Sequence, residues 1–253
     1  MQRLFTKRYL LVIFLLFCIL LPVVQADAQG LPKITLGLDQ AESPEDISTT
    51  LQILLLMTVL TLAPAILILM TSFTRIIVVF FFVRQALGTN QMPPNQLLIG
   101  LALFLTVFIM GPTIQQINEQ AFQPYMNEEI TQQEAFTEAM APLRKFMAGQ
   151  TREKDMGLFM KISGIAKPKN LSEVPNTVLI PSFVISELHT AFQIGFVLYI
   201  PFLVIDMVVA GVLMSMGMMM LPPVMISLPF KILLFILVDG WNLLVGSVVQ
   251  GFF

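Results

Sequence analysis

Charge is almost absent from two long parts of this chain, and no other feature limits its folding as much. No acidic residue occurs between Ile47 and Asn118, and beyond Leu188 the only formal charges are Asp206, Lys231 and Asp239. Stretches this poor in charge are poorly suited to facing water along their whole length. With 56% apolar and 12% charged residues among 253, and a mean hydropathy of +0.82, the chain lies far from a soluble average and is membrane-associated. Between the two apolar blocks, Thr113 to Pro181 carries seven basic and eight acidic residues.

At the N-terminus, Arg3, Lys7 and Arg8 precede an apolar run from Tyr9 to Val24, and the small residues of VQADAQ follow. This is the pattern of a signal peptide, residues 1–26, cleaved after Ala26 or Ala28; an uncleaved anchor is the other reading. Cleavage after Ala26 removes Cys18, the only cysteine, and leaves 11 basic against 16 acidic residues, a net charge of about −5. Nothing in that balance points to nucleic acid.

The pattern predicts an all-α membrane protein of proline-broken helical hairpins with a small helical extracytoplasmic insert. An extracytoplasmic lead, 27–48, precedes a first hydrophobic hairpin, 49–112. A polar helical periplasmic insert, 113–185, leads to a second hydrophobic hairpin, 186–253, which holds a methionine-rich loop, 214–223. ESPED, Glu42 to Asp46, suits a helix start. The apolar run Leu51–Met70 is long enough to cross a hydrocarbon core, with a kink or break expected at Pro64. Arg75 and Arg84 bracket eight apolar residues, too few to span, so an interfacial or protein-buried helix ending near Gly88 is expected. Leu97–Met110, before Gly111-Pro112, is also short for a span. Pro201, Pro222, Pro223 and Pro229 predict a pair of broken helices joined by the methionine-rich turn.

Catalytic patterns are lacking. His189 is the single histidine, and HExxH, GxSxG and a phosphate-binding glycine loop do not occur. The chain therefore reads as non-enzymatic and without a cofactor. Asp206, Lys231 and Asp239 sit within apolar runs, where an isolated charge costs at least about 2.5–3.5 kcal/mol on insertion scales. They are expected to pair with one another, with Arg75 or Arg84, or with a neighbouring subunit; snorkelling to an interface is the plainer reading. Glu187 and His189, at the edge of an apolar run, suit an ordinary solvated role.

Five of the seven residues from Met214 to Met220 are methionine: Met214, Met216, Met218, Met219 and Met220. Flexible core filler is one explanation. Cu(I) ligation is a second, since thioethers are soft ligands and Met214/Met218 and Met216/Met220 have MxxxM spacing. A third is a deformable apolar seal able to block ions by dewetting, with Gly217, Pro222 and Pro223 turning the chain out of helical geometry.

Three strings carry a resemblance: SFTRIIVVFFFVRQALGTNQMPPNQLLIGLALFLTVFIMGP (Ser72–Pro112), PSFVISELHTAFQIGFVLYIPFLVIDMVVAGVLMSMGMMMLPPVMISLPFK (Pro181–Lys231) and LLFILVDGWNLLVGS (Leu233–Ser247). They resemble the FliP family, the flagellar members of the type III secretion export-gate proteins. The resemblance implies a core pore subunit in the bacterial inner membrane, at the flagellar basal body, with a periplasmic portion. It implies several copies, by family resemblance five, in a helically arranged ring with FliQ and FliR, working with FlhA and FlhB to pass unfolded flagellar subunits. It assigns the pore gasket to Met218, Met219 and Met220 with their neighbouring methionines, and it implies that the hairpins need not span the bilayer conventionally. A small-solute or Cu(I) carrier using the methionine cluster is the alternative from another class.

Overall fold

Pro44 opens the first helix, α1 (Pro44–Leu69), where its fixed φ suits a first helical position and its missing N–H leaves no bond unmade. The computed structural model describes residues 44–89, 91–165, 173–218 and 220–253, so the signal peptide and residues 27–43 of the lead lie outside the described residues. Every regular element among the described residues is helical. Leu54–Phe253 forms a compact unit of its own, and the packing below is that of this unit.

After α1 come α2 (Phe73–Leu87) and α3 (Asn95–Ile117), the latter running through a π-turn (Asn118–Phe122) into the short α4 (Gln123–Met126). The polar segment supplies α5 (Gln132–Gln150) and α6 (Glu153–Ile162). Thr131 and Glu134 start α5 with a reciprocal capping box, the TQQE signature visible in the sequence. The last third folds into α7 (Asn176–Ser215), α8 (Pro223–Leu237) and α9 (Gly240–Gln250). Asn95–Met126 and Asn176–Ser215, 32 and 40 residues, are long and apolar enough to cross a membrane. The α8–α9 pair, bent by 64°, makes a third span or a re-entrant loop.

The prolines do not break the helices where their positions predict. Pro64, Pro112, Pro181, Pro201 and Pro229 all lie inside continuous helices. Leu97–Met110 is thus part of a much longer helix, and Pro201 does not divide α7. An internal proline forfeits one backbone bond, whereas ending a helix exposes several N–H and C=O groups; in apolar surroundings the second loss is larger. For the same reason the boundary placed between residues 185 and 186 falls inside α7 and marks no structural break.

The bracketed segment between the arginines becomes the centre of the core. Ile76, Val79, Phe80, Val83, Ala86 and Leu87 of α2 are buried, and pack with Leu98, Ala102 and Ile109 of α3, Ala191 and Phe202 of α7, and Leu244 and Val248 of α9. Gly195 lets α2 approach α7: a Cβ there would fall 2.5 Å from the Phe82 ring, which sits edge-on to Phe192. The polar segment packs as a second cluster, in which Met147, Met156 and Met160 meet Met70, Val174, Val178, Leu179 and Phe183. Phe146 touches both clusters, so α5 and α6 are built onto the start of α7.

Candidate functional site

Helix α7 ends in a way its glycine dictates. Gly217 adopts φ +74°, its N–H bonds the Met214 carbonyl at 3.1 Å, and the Met218 N–H bonds the Leu213 carbonyl at 3.0 Å. These two bonds are a Schellman ending, for which a residue without Cβ is best suited. Pro222 and Pro223 then start α8, so the methionines occupy the turn of a helical hairpin. Met214, Met216, Met218 and Met220 are exposed, Met220 at 99%, while Met219 lies outside the described residues. Because α7 ends at Ser215, Met214/Met218 and Met216/Met220 do not lie on one helical face, which removes the geometric basis of the MxxxM copper reading.

Below the turn, an ion pair joins the two arms. Lys231 Nζ donates to Asp206 Oδ2 at 2.6 Å and to the Ala86 carbonyl at 3.1 Å, and Ser227 Oγ donates to Asp206 Oδ1 at 2.5 Å. The pair therefore fastens α7 and α8 to the C-terminal end of α2, where Val224 and Leu228 lie against Gly88. From Asp206 to Ser215 the helix rises about 14 Å, so the methionine turn projects beyond a fixed base. Between the arms lies an apolar groove of about 480 Å³ lined by Val204, Val208, Val212, Ile226 and Phe230 among others.

Arg75 has the partner that the sequence leaves out. Its Nε and Nη2 donate to both carboxylate oxygens of Glu187, at 2.9 and 2.5 Å, with Arg75 2% exposed and Glu187 fully buried. The same guanidinium donates to Gln150 Oε1 and the Gly251 carbonyl, each at 2.9 Å, and lies 3.8 Å from the Phe252 ring centroid. Four segments thus converge on one cation. Glu187 is not solvated, as its place at the edge of an apolar run suggests, because α7 continues past that edge and turns the carboxylate toward α2. The sequence signal available was a lone acid and a lone arginine, each in an acid-poor or base-poor run. Beside it, Arg152 and Ser186 hold Asp155: Ser186 Oγ donates at 2.7 Å and Arg152 Nε at 2.8 Å. Burial pushes the Asp155 carboxyl up, but the Ser186 and Arg152 hydrogen bonds and the Arg152 and His189 charges outweigh it and hold the group below the usual carboxylate range.

Two other candidates take different positions. Arg84 is half-buried, stacks 5.0 Å from the Phe81 centroid, and donates to Asn95 and to the Pro93 carbonyl rather than to a carboxylate. Asp239 is exposed and stands at the α8–α9 break with φ +50°, and its side chain makes no capping bond. It is not a buried charge: it stands exposed at the 64° bend between the two helices. Among the described residues, no group of three or more His, Cys, Asp or Glu converges as a metal site.

The FliP family model matches residues 56–248. A flagellar biosynthetic protein FliP of Bacillus subtilis (strain 168) is 60% identical over 212 residues, 84% of this chain and 96% of the relative. Proteins of the same name from Borreliella burgdorferi and Pectobacterium carotovorum are 50% and 49% identical, over 82% and 98% of this chain and 83% and 94% of theirs. The matched span runs from α1 to α9 and takes in the buried arginine–glutamate pair, the lysine–aspartate pair and the methionine turn: the chain belongs to the FliP family.

Proposed function

We propose that this chain is a non-enzymatic membrane subunit of the flagellar protein export apparatus, and that its methionine turn is one segment of a ring-shaped seal. Several copies, five by family resemblance, surround a passage for unfolded flagellar subunits, alongside FliQ and FliR and next to FlhA and FlhB. The subunit resides in the bacterial inner membrane at the flagellar basal body, with α5 and α6 on the periplasmic side and residues 1–26 removed as a signal peptide.

One observation carries the reading: an exposed cluster of pliable thioether side chains at the tip of a hairpin whose base is held by a lysine–aspartate pair. A side chain that serves as core filler is buried in its own subunit, and these are not. Unbranched methionines re-pack around objects of varied shape, and a ring of them is apolar enough to exclude ions when empty. The carrier alternative has less support, since α7 ends at Ser215, between Met214 and Met218 and before both Met216 and Met220.

The test replaces Met218, Met219 and Met220 with alanine in cells and measures ion leak together with export of flagellar subunits. Raised leak or altered export is expected, and unchanged values for both sink the seal. N-terminal sequencing of purified protein checks the signal peptide: a start at Asp27 or Gln29 is expected, and a start at Met1 or Gln2 refutes it.

A further inference from the structure

The two apolar blocks contain six formal charges, three positive and three negative: Arg75, Arg84, Glu187, Asp206, Lys231 and Asp239. Two opposite pairs close within the chain, Arg75 with Glu187 and Lys231 with Asp206. The remaining two are also opposite in sign, and neither has an ionic partner among the described residues. Arg84 has only neutral acceptors, the Asn95 amide and the Pro93 carbonyl. Asp239 has no side-chain hydrogen bond or ion pair at all among the described residues.

The two leftover charges stand on different surfaces, Arg84 on a mixed one and Asp239 on an apolar one. Arg84 lies at the α2–α3 corner, which presents Met92 and Leu97 to the outside among the exposed Gln91, Asn95 and Gln96. Asp239 follows the exposed Ile236, Leu237 and Val238, and next to it opens a groove of about 640 Å³ between α3 and α9, lined by Leu105, Phe108, Trp241, Val245 and Val249. A carboxylate left unpaired beside an apolar groove is unfavourable against hydrocarbon, and two different patches each carrying one charge of opposite sign are complementary.

From this we infer that Arg84 of one copy pairs with Asp239 of the next, the occupant of the groove beside Asp239 being the α2–α3 corner of a second copy of this chain. The contact joins two different patches, so it is head-to-tail: each copy offers an arginine on one side and an aspartate on the other. Such an interface propagates around a ring instead of stopping at a dimer. The backbone at Asp239 fits this role, since aspartate tolerates the left-handed conformation and its carboxylate makes no capping bond to the helix it precedes. The inference rests on the ring assembly proposed above and names the charges that hold it.

The experiment uses the full chain extracted in detergent, with the mass of the complex measured intact. Arg84→Asp and Asp239→Arg each reduce the multi-copy species about thirtyfold or more, and the double exchange restores it. Asp239→Asn removes the charge while keeping a residue suited to the left-handed backbone, and it reduces the species likewise. In a Cys18→Ser background, Arg84→Cys with Asp239→Cys gives an oxidised ladder of linked copies. If the charge variants retain a wild-type ring, or if oxidation links only cysteines within one copy, the inter-copy pair is overturned while the ring stands. If the wild-type chain forms no multi-copy species even with the other gate subunits, the reading beneath it fails as well.

Discussion

Removing Glu187 tests how far the buried arginine node holds the fold together. Glu187→Ala deletes two charge-assisted hydrogen bonds, each worth about 1.5–3 kcal/mol, and leaves Arg75 buried with only Gln150, the Gly251 carbonyl and the Phe252 ring around it. Breaking one side of a buried pair costs about 3–5 kcal/mol, because the surviving charge stays desolvated. For a chain of this size that corresponds to a fall of about 10 °C in Tm. Glu187→Gln keeps the shape but presents an NH2 to the guanidinium, so it falls between wild type and alanine. Arg75→Met combined with Glu187→Leu removes both charges and loses less than the two single changes added together, by a coupling of about 1–3 kcal/mol. The assay is thermal unfolding in detergent at fixed protein concentration, followed by the fluorescence of Trp241, the only tryptophan, which sits edge-on to Phe80 and Phe235. A Glu187→Ala protein melting with wild type, together with zero coupling, refutes the reasoning.

Gly195→Ala places a Cβ against the Phe82 ring and forces α2 from α7; a loss of about 1–3 kcal/mol is expected, and an unchanged Tm shows that the contact yields freely. Gly217→Ala meets no neighbouring atom but strains a left-handed residue, for about 1–2 kcal/mol, whereas Gly217→Asn loses less; equal losses in thermal unfolding contradict the Schellman account. Asp155 has a folded pKa below its unfolded value, so its contribution to stability is complete at neutral pH and disappears as pH falls through the folded value, below the ordinary carboxylate range near 4. Asp155→Asn therefore lowers Tm at pH 7 and flattens the acid limb of the Tm–pH profile; a parallel profile counts against it.

Much of the class and the local detail could be read from residue order, because each rests on neighbours along the chain. Charge-poor blocks set the membrane character, Pro44 and the TQQE box set helix starts, and a glycine after methionines set the end of α7. The arginine-bracketed run is too short to span, and it became a core helix for that reason. The methionine turn was legible as a proline-bounded loop, and its resemblance to the FliP family named a role. What the tertiary structure decided was continuity and partnership. Whether Pro112 or Pro201 ends a helix depends on what surrounds the freed backbone groups, and both helices run on through their prolines. Arg75 and Glu187 lie 112 residues apart, and no spacing rule joins them. Their pairing exists only because α2 packs along α7, with the chain's end at Gly251 and Phe252 folded back onto the same guanidinium. Ion pairs of this kind are set by which surfaces exclude water together, a property of packing and not of sequence order.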